Sequence, residues 1–318
     1  MGKAEDLIKG RLREVGAIAV GITEATTVNQ EEWERFEAWL DKGMEAGMGY
    51  MHNHLAIRRD PRLLLNGAKS LICCAFSYLP ADVSKMQSNG SVATYALLPD
   101  YHDWIRERVR AARLEELLGD EGTDWRICVD SAPILERYWA KRAGLGIIGR
   151  NGALIIPGVG CEVILCEIIT TTRLEADSAA EGTCNECGAC SRACPTQANT
   201  DNGIDCNRCL SYLTIEHRGE WTDKQHLKAM STPGGKQSLF GCDRCISSCP
   251  MNNPEVTSSF TSNPVITNLS AKDILRISPA EFSKLFKGTP IKRGRLEGLC
   301  RNARNAIDFE SKSDILKT

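Results

Sequence analysis

The alternation of apolar and polar positions divides the chain into three stretches. Over 5–15, Leu7, Ile8, Leu12 and Val15 recur at helical spacing. The short apolar run 17–22 predicts a strand, and over 31–41 Trp33, Phe36 and Leu40 mark one helix face. The run 69–78, which holds Cys73 and Cys74, has no polar alternation and predicts a strand buried on both sides. The pattern then predicts a strand at 91–97, a charged helix at 104–118, and a strand at 125–129 that ends at Asp130. A helix over 132–143 stops at the glycine run 144–149, and strands follow at 153–156 and 162–169. Interleaved strands and helices predict an α+β fold whose N-terminal domain, 1–176, is of α/β type. A polar linker then leads into a cysteine-rich, irregular stretch, 177–264, expected to be ferredoxin-like. Helical spacing returns over 265–318 among basic residues.

Composition narrows this picture. Of 318 residues 42% are hydrophobic and 25% charged, as in ordinary globular proteins. The net charge of −2 gives no global pull toward nucleic acid, so any such contact must be local. The first six residues are polar, Asp6 breaks a myristoylation pattern, and no apolar run is long enough to span a bilayer. A cytoplasmic monomer without membrane contact is expected. Thiols stay reduced in that compartment. Nine of the 15 cysteines nevertheless crowd between Cys184 and Cys249. Such density reads as metal binding rather than disulfides.

The spacing says which metal. Cys184-x2-Cys187-x2-Cys190-x3-Cys194-Pro195 is the bacterial ferredoxin run, in which the fourth cysteine serves the other of two cubanes. Cys242-x2-Cys245-x3-Cys249-Pro250 is its counterpart. Cys184, Cys187, Cys190 and Cys249 then close one 4Fe-4S cluster. Cys194, Cys242, Cys245 and either Cys206 or Cys209 close the second. Zinc also binds paired C-x2-C motifs, but it does not require the x3-Cys-Pro ending twice. Cysteines 73, 74, 128, 161, 166 and 300 read as small core residues.

Two further motifs lie in the N-terminal stretch. Asp130-Ser131-Ala132-Pro133 puts a carboxylate at a strand-to-helix junction, where a helix N-cap is the ordinary reading. Gly144-x-Gly146-x-x-Gly149 has dinucleotide spacing but follows a helix and precedes a strand, the reverse of the Rossmann order.

Asp130-Ser131-Ala132-Pro133-x-x-Glu136-Arg137, Arg142-Ala143-Gly144-Leu145-Gly146 through Asn151, and the double ferredoxin block occur together and in order. With them come Arg58-x-Asp60-Pro61-Arg62, Tyr95, Asp100-Tyr101-His102, Cys209-Leu210-Ser211-Tyr212, Gly288-Thr289-Pro290 and Arg301-Asn302. Together they resemble the epoxyqueuosine reductase family over nearly the whole chain. That resemblance implies a cobalamin-dependent oxidoreductase that removes the epoxide oxygen of epoxyqueuosine at the tRNA wobble position. Electrons would pass from an external low-potential donor through two 4Fe-4S clusters. It selects Cys209 over Cys206 as ligand. It makes Asp130 the proton donor, which requires a dry pocket that keeps the carboxyl neutral. It implies cobalamin contacts from Arg58, Tyr95, Asp130, Asn151, Leu154, Leu165, Ser211 and Asp243, with the glycine run close to the corrin. His102 is not expected to bind cobalt, because the base-off motif lacks its glycine at Ile105.

Between Lys284 and Arg304 seven basic residues face one acid, Glu297. On the resemblance, Lys292, Arg293, Arg295 and Arg301 are expected to contact tRNA. Many family members carry a helical-repeat extension beyond this point, so part of the tRNA grip is either dispensable or missing. The rival readings are a cobalamin iron–sulfur reductase of a small organic substrate, like the reductive dehalogenases, and a non-catalytic electron-transfer protein.

Overall fold

The computed structural model describes residues 3–82 and 92–315, with side chains up to 307. Its first unit is a sheet covered on both faces. Strands β1 (Ala19–Glu24), β2 (Ser70–Ser77), β3 (Trp125–Cys128) and β6 (Val163–Thr170) form it in the order β1-β2-β6-β3. Two-residue strands β4 (Ile147–Ile148) and β5 (Leu154–Ile155) pair as a separate hairpin. In the sheet Val20 lies opposite Cys74, Cys74 opposite Cys166, and Ile127 opposite Ile168, all antiparallel.

This corrects the α/β reading of the N-terminal domain, which needs parallel strands joined by crossovers. Unbroken apolar runs usually signal parallel strands because helices cover both faces. Here an antiparallel sheet is covered in the same way, and every residue of β2 is buried. On one face α1 (Ala4–Glu14) and α4 (Tyr101–Ala111) bring Ile8, Leu12, Ile105 and Val109 onto Ile22, Phe76 and Ile168. On the other, α2 (Gln30–Asp41) and α6 (Glu136–Arg142) bring Trp33, Tyr138 and Trp139 onto Leu71, Cys73 and Ile169. The approach of α6 leaves no room for a side chain at Gly21, whose Cβ would lie 1.9 Å from the Ala143 carbonyl.

Three predicted elements differ. Ser91 lies outside the described residues, and 94–97 is a 3-10 turn in place of a strand, with Val92 making only a bridge to Phe240. The long charged helix is two, since Arg113 at φ +53° breaks the chain before α5 (Glu115–Leu118). Helix α6 starts at Glu136 rather than 132, because Pro133 disfavours helical backbone at Ala132 and Asp130 takes φ +54°. Leu135 caps α6, so Asp130 is not its N-cap. Between β1 and β2 the short helix α3 (Leu55–Arg59) carries Arg58.

The cysteine block is built from turns and short helices: α7 (Ala189–Ala193), α8 (Leu210–Ile215), α9 (Lys224–Ser231), α10 (Pro233–Gln237) and α11 (Arg244–Ser247). Between α7 and α8 runs a hairpin of β7 (Asn199–Thr200) and β8 (Gly203–Ile204). It is tied to the sheet unit by Trp39 Nε1 donating to the Ile204 carbonyl at 2.8 Å and Gly47 N–H donating to Tyr212 Oη at 2.9 Å. Helices α12 (Pro264–Thr267), α13 (Ala271–Ile274), α14 (Pro279–Leu285) and α15 (Arg295–Ile315) follow. Their core of Ile274, Phe286, Ile291 and Leu299 takes in Ala96 and Leu97 from the first unit and Phe240 from the second. Among the described residues no helix is long and apolar enough to cross a membrane.

Candidate functional site

The cysteines come together in two groups whose membership crosses the sequence motifs. Cys184, Cys187, Cys190 and Cys249 line one open cavity of about 310 Å³, with Asn151, Ile155 and Pro250 on its wall. Cys194, Cys209, Cys242 and Cys245 lie within electrostatic reach of one another. Burial, then the Cys242 and Cys194 charges, push the Cys209 thiol up to about 11. Burial, the other three sulfurs and then Cys190 of the first group raise Cys245 further. Burial also acts to raise Cys194, but the Thr196 hydroxyl and the Ala198 N–H at 3.3 Å hold its thiolate and bring it below the usual thiol range. Cys206 faces Cys209, Asp205 and Glu45 instead of the other sulfurs. Converging thiolates that repel one another suit a multi-iron core. Zinc holds sulfur about 2.3 Å from one centre. Among the described residues no three His, Cys, Asp or Glu converge on the point a single ion would occupy.

Sequence reasoning missed Arg244 and Asn252 beside these sulfurs, and named Asn151 only as a cobalamin contact. Arg244 Nη1 donates to Cys242 Sγ at 3.4 Å, and Asn151 Nδ2 donates to the Cys245 carbonyl at 3.1 Å. Cys161, read as core, donates to Asn252 Oδ1 at 3.2 Å and lies against Cys249. The glycine run has a packing role. A Cβ at Gly146 would sit 2.1 Å from the Ile155 carbonyl, so that glycine lets β4 close on β5.

Asp130 hangs from the end of β3. Its carboxylate accepts the Tyr101 hydroxyl at 2.6 Å and faces His102 Nε2 at 3.3 Å. His102 Nδ1 lies 2.8 Å from Asp100 Oδ1. The Asp130 N–H donates to Glu136 Oε1 at 2.6 Å. Burial pushes the Asp130 carboxyl up, but His102 and Tyr101 outweigh it and hold the carboxyl below its ordinary range. Burial opposes charge on His102, yet Asp100 and Asp130 raise it to about 9. Burial, and then the Asp130 charge, raise Glu136 to about 7. Behind it Glu167 is fully buried with neither oxygen partnered, and its pKa is pushed well up by burial and Glu136. The dry pocket expected around a neutral Asp130 is not formed by the described residues of the chain itself. The side chain is 57% exposed and ionised, and the proton sits on His102.

The other candidates divide between a junction and the core. Tyr95 packs against Tyr78, Tyr101 and Phe240, within the electrostatic field of Asp243, Asp130 and Glu216. Asp243 accepts the Thr94 N–H, and burial raises its carboxyl. Arg58 donates to the carbonyls of Tyr50 and Asn53, each at 3.2 Å, and Tyr50 senses Glu216, Arg293 and Asp130. Ser211, half-buried, is the second residue of α8, which Cys209 caps. Asn151 is buried behind the cysteines. Leu154 and Leu165 are 2% and 7% exposed in the apolar core, so any contact with a ligand falls to their backbones. Donors from Arg58, Tyr50 and Tyr101, acceptors from Asp130, Glu216 and Asp243, and an aromatic wall make a donor set that fits a flat macrocycle fringed with amides.

The basic stretch also divides. Arg301 is corrected from surface contact to buried brace. It is 3% exposed, donates to the carbonyls of Gly219 at 2.6 Å, Leu213 at 2.8 Å and His217 at 3.1 Å, and lies over the Trp221 ring. Asn302 beside it donates to the carbonyls of Thr214 and Leu239. Arg293 is exposed but held by both oxygens of Glu216 at 2.8 Å. Lys292 and Arg295 are exposed and make no ion pair among the described residues.

Two family models match this chain, "Epoxyqueuosine reductase QueG, DUF1730" over residues 58–131 and "4Fe-4S double cluster binding domain" over 183–252. The chain is 36% identical to the epoxyqueuosine reductase of Leadbetterella byssophila over 93% of its own length and 95% of that protein. It is 33% identical to that of Salmonella typhimurium over 92% and 77%. The solved enzyme of Streptococcus thermophilus superposes with a TM-score of 0.82 at 26% identity, covering 95% of this chain and 80% of that one. A relative solved with an epoxyqueuosine-modified tRNA stem loop superposes with 0.80 at 28% identity, with the same coverage. With agreement of this breadth in both sequence and structure, the chain belongs to the epoxyqueuosine reductase family.

Proposed function

We propose that this chain reduces epoxyqueuosine to queuosine at the wobble position of tRNA. The observation that carries the reading is the meeting of two crossed cysteine groups with a junction onto which Asp130 opens. In this reading Cys184, Cys187, Cys190 and Cys249 hold one 4Fe-4S cluster, and Cys194, Cys209, Cys242 and Cys245 hold the other. An external low-potential donor supplies the electrons. Arg58, Tyr50, Tyr95, Ser211 and Asp243 line the cobalamin site, and residues 1–176, 177–264 and 265–318 act as reductase, cluster and basic units.

Cobalamin, when bound, supplies a strong nucleophile and reductant for the epoxide carbon. The chain supplies the proton. Asp130 delivers it to the departing oxygen, and Tyr101 orients the carboxylate. The Bacillus subtilis enzyme has been solved with its catalytic aspartate loop swung out of the active site, which supports a mobile acid at the Asp130 turn. Lys292 and Arg295 meet phosphate, and the protein works as a cytoplasmic monomer.

The test is anaerobic reconstitution with iron, sulfide and cobalamin, followed by mass analysis of nucleosides after incubation with an epoxyqueuosine-bearing stem loop. Loss of one oxygen from the modified base is the expected result. Full cluster loading with no change in the nucleoside would favour a plain electron carrier. Turnover of a halogenated organic but not of the stem loop would favour the small-molecule reductase.

A further inference from the structure

Removing an epoxide oxygen takes two electrons and two protons and yields an alkene and water. Both protons end on the same oxygen. The first neutralises the alkoxide as one C–O bond opens, and the second lets the hydroxyl leave as water when the other bond breaks. The two electrons come from the external donor. The Asp130 carboxyl rests ionised, so both protons must be passed to it while substrate covers the site.

We propose that His102, clamped between Asp100 and Asp130, hands Asp130 the proton for each of the two protonations and takes a replacement from water in between. The inference rests on the reading of Asp130 as the acid. His102 acts through Asp130, which makes it a positioning residue.

The geometry carries it. His102 Nε2 lies 3.3 Å from the Asp130 carboxylate and Nδ1 lies 2.8 Å from Asp100 Oδ1. Carboxylates only accept, so an imidazole engaged by one at each nitrogen carries both N–H groups and a positive charge. The ring is stacked on Tyr101 at 4.2 Å between centroids, which fixes its plane. Its side chain is 27% exposed, so water can return the proton after transfer. The transfer breaks Nε2–H and forms O–H on Asp130, leaving a neutral imidazole still hydrogen-bonded to Asp100.

The neighbours do not compete. Tyr101 donates a hydrogen bond to Asp130, but burial and the Asp130 charge raise its pKa far above the reach of neutral pH. Glu136 binds the Asp130 backbone N–H in place of its carboxylate. The charged groups that face the histidine are Asp100 at the start of its own helix, and Asp130 and Glu136 from the opposite loop and α6, with Arg106 beside Asp100 and Arg137 beside Asp130 and Glu136. The two carboxylates dominate, and His102 keeps its proton up to about pH 9.

The test uses cluster-loaded, cobalamin-reconstituted enzyme and a modified stem loop, with kcat measured against pH. Wild type should hold its rate through neutral pH and lose it as pH rises through about 9, where His102 deprotonates. His102→Gln, which donates a hydrogen bond but no proton, should lower kcat by about 10-fold or more. It should also move the basic limb at least two pH units lower, with KM for the stem loop unchanged. Asp100→Asn should move the limb by about one unit in the same direction, since a lost partner lowers the histidine pKa. A second measurement needs neither turnover nor cobalamin. In 13C-histidine-labelled protein, the resonance that His102→Gln removes should titrate near pH 9, and lower in Asp100→Asn. Variant pH profiles superimposed on wild type, or a His102 resonance titrating near its ordinary 6.5, would overturn the proposal while leaving Asp130 as the acid. A wild-type enzyme that never deoxygenates the stem loop would overturn the parent reading, and this inference with it.

Discussion

The cysteines of the block sit on turns, at helix ends and on helices of four or five residues, whereas Asp130 hangs from a sheet buried on both faces. In the block, position follows from spacing: two residues between sulfurs, three before the last, then proline. At Asp130 the decisive neighbours, Tyr101 and His102, lie 29 and 28 positions away in sequence. A local device can be read from a string of residues. A charge state set across a fold cannot, because it depends on which groups the packing brings within a few ångströms.

Substitutions in both regions sharpen this contrast. Cys209→Ser should lose about half the bound iron, since each cubane needs its fourth thiolate. Cys206→Ser should keep it all, and iron and sulfide analysis with visible spectra decides between them. Equal loss in both would mean that the second group is drawn wrongly. Next in size, Asp130→Asn should keep clusters and stem-loop binding while kcat falls by about 10²–10⁴-fold, the usual worth of a positioned general acid. Single-turnover nucleoside analysis measures it, and an active Asn variant removes the role.

A second pair lies in the basic stretch. Arg301→Ala removes charge-assisted bonds to three carbonyls in a buried site and should cost about 3 kcal/mol in urea unfolding. Lys292→Ala with Arg295→Ala should leave stability within about 0.5 kcal/mol. That double variant should instead lower the slope of log affinity against log salt by about 1–2 in stem-loop binding. The smallest effect is expected from Arg244→Ala. Losing the N–H that points at Cys242 Sγ should move the second cluster's potential to more negative values in film electrochemistry, with iron content unchanged.

Much of the architecture was legible. Strands at 69–78 and 162–169 stood out because an apolar run flanked by breakers has few other uses, and the structure places β2 and β6 there. The crossing of Cys249 to the first three cysteines followed from the ferredoxin rule, and all four line one cavity. Strand direction was not legible, since a doubly covered antiparallel sheet carries the same apolar signature as a parallel one. The Asp130 turn read as a cap because Asp is an ordinary N-cap residue; Pro133, three residues on, was the signal that the helix begins later.

From composition and motif order came the family and the two-cubane block, both properties of spacing along the chain. The three-dimensional arrangement alone decided that Arg301 braces the interior instead of meeting phosphate, that Cys209 faces the other sulfurs while Cys206 does not, and that the proton rests on His102 rather than Asp130. Burial and charge pairing are energies between groups distant in sequence, and they have no value until the fold has chosen the partners.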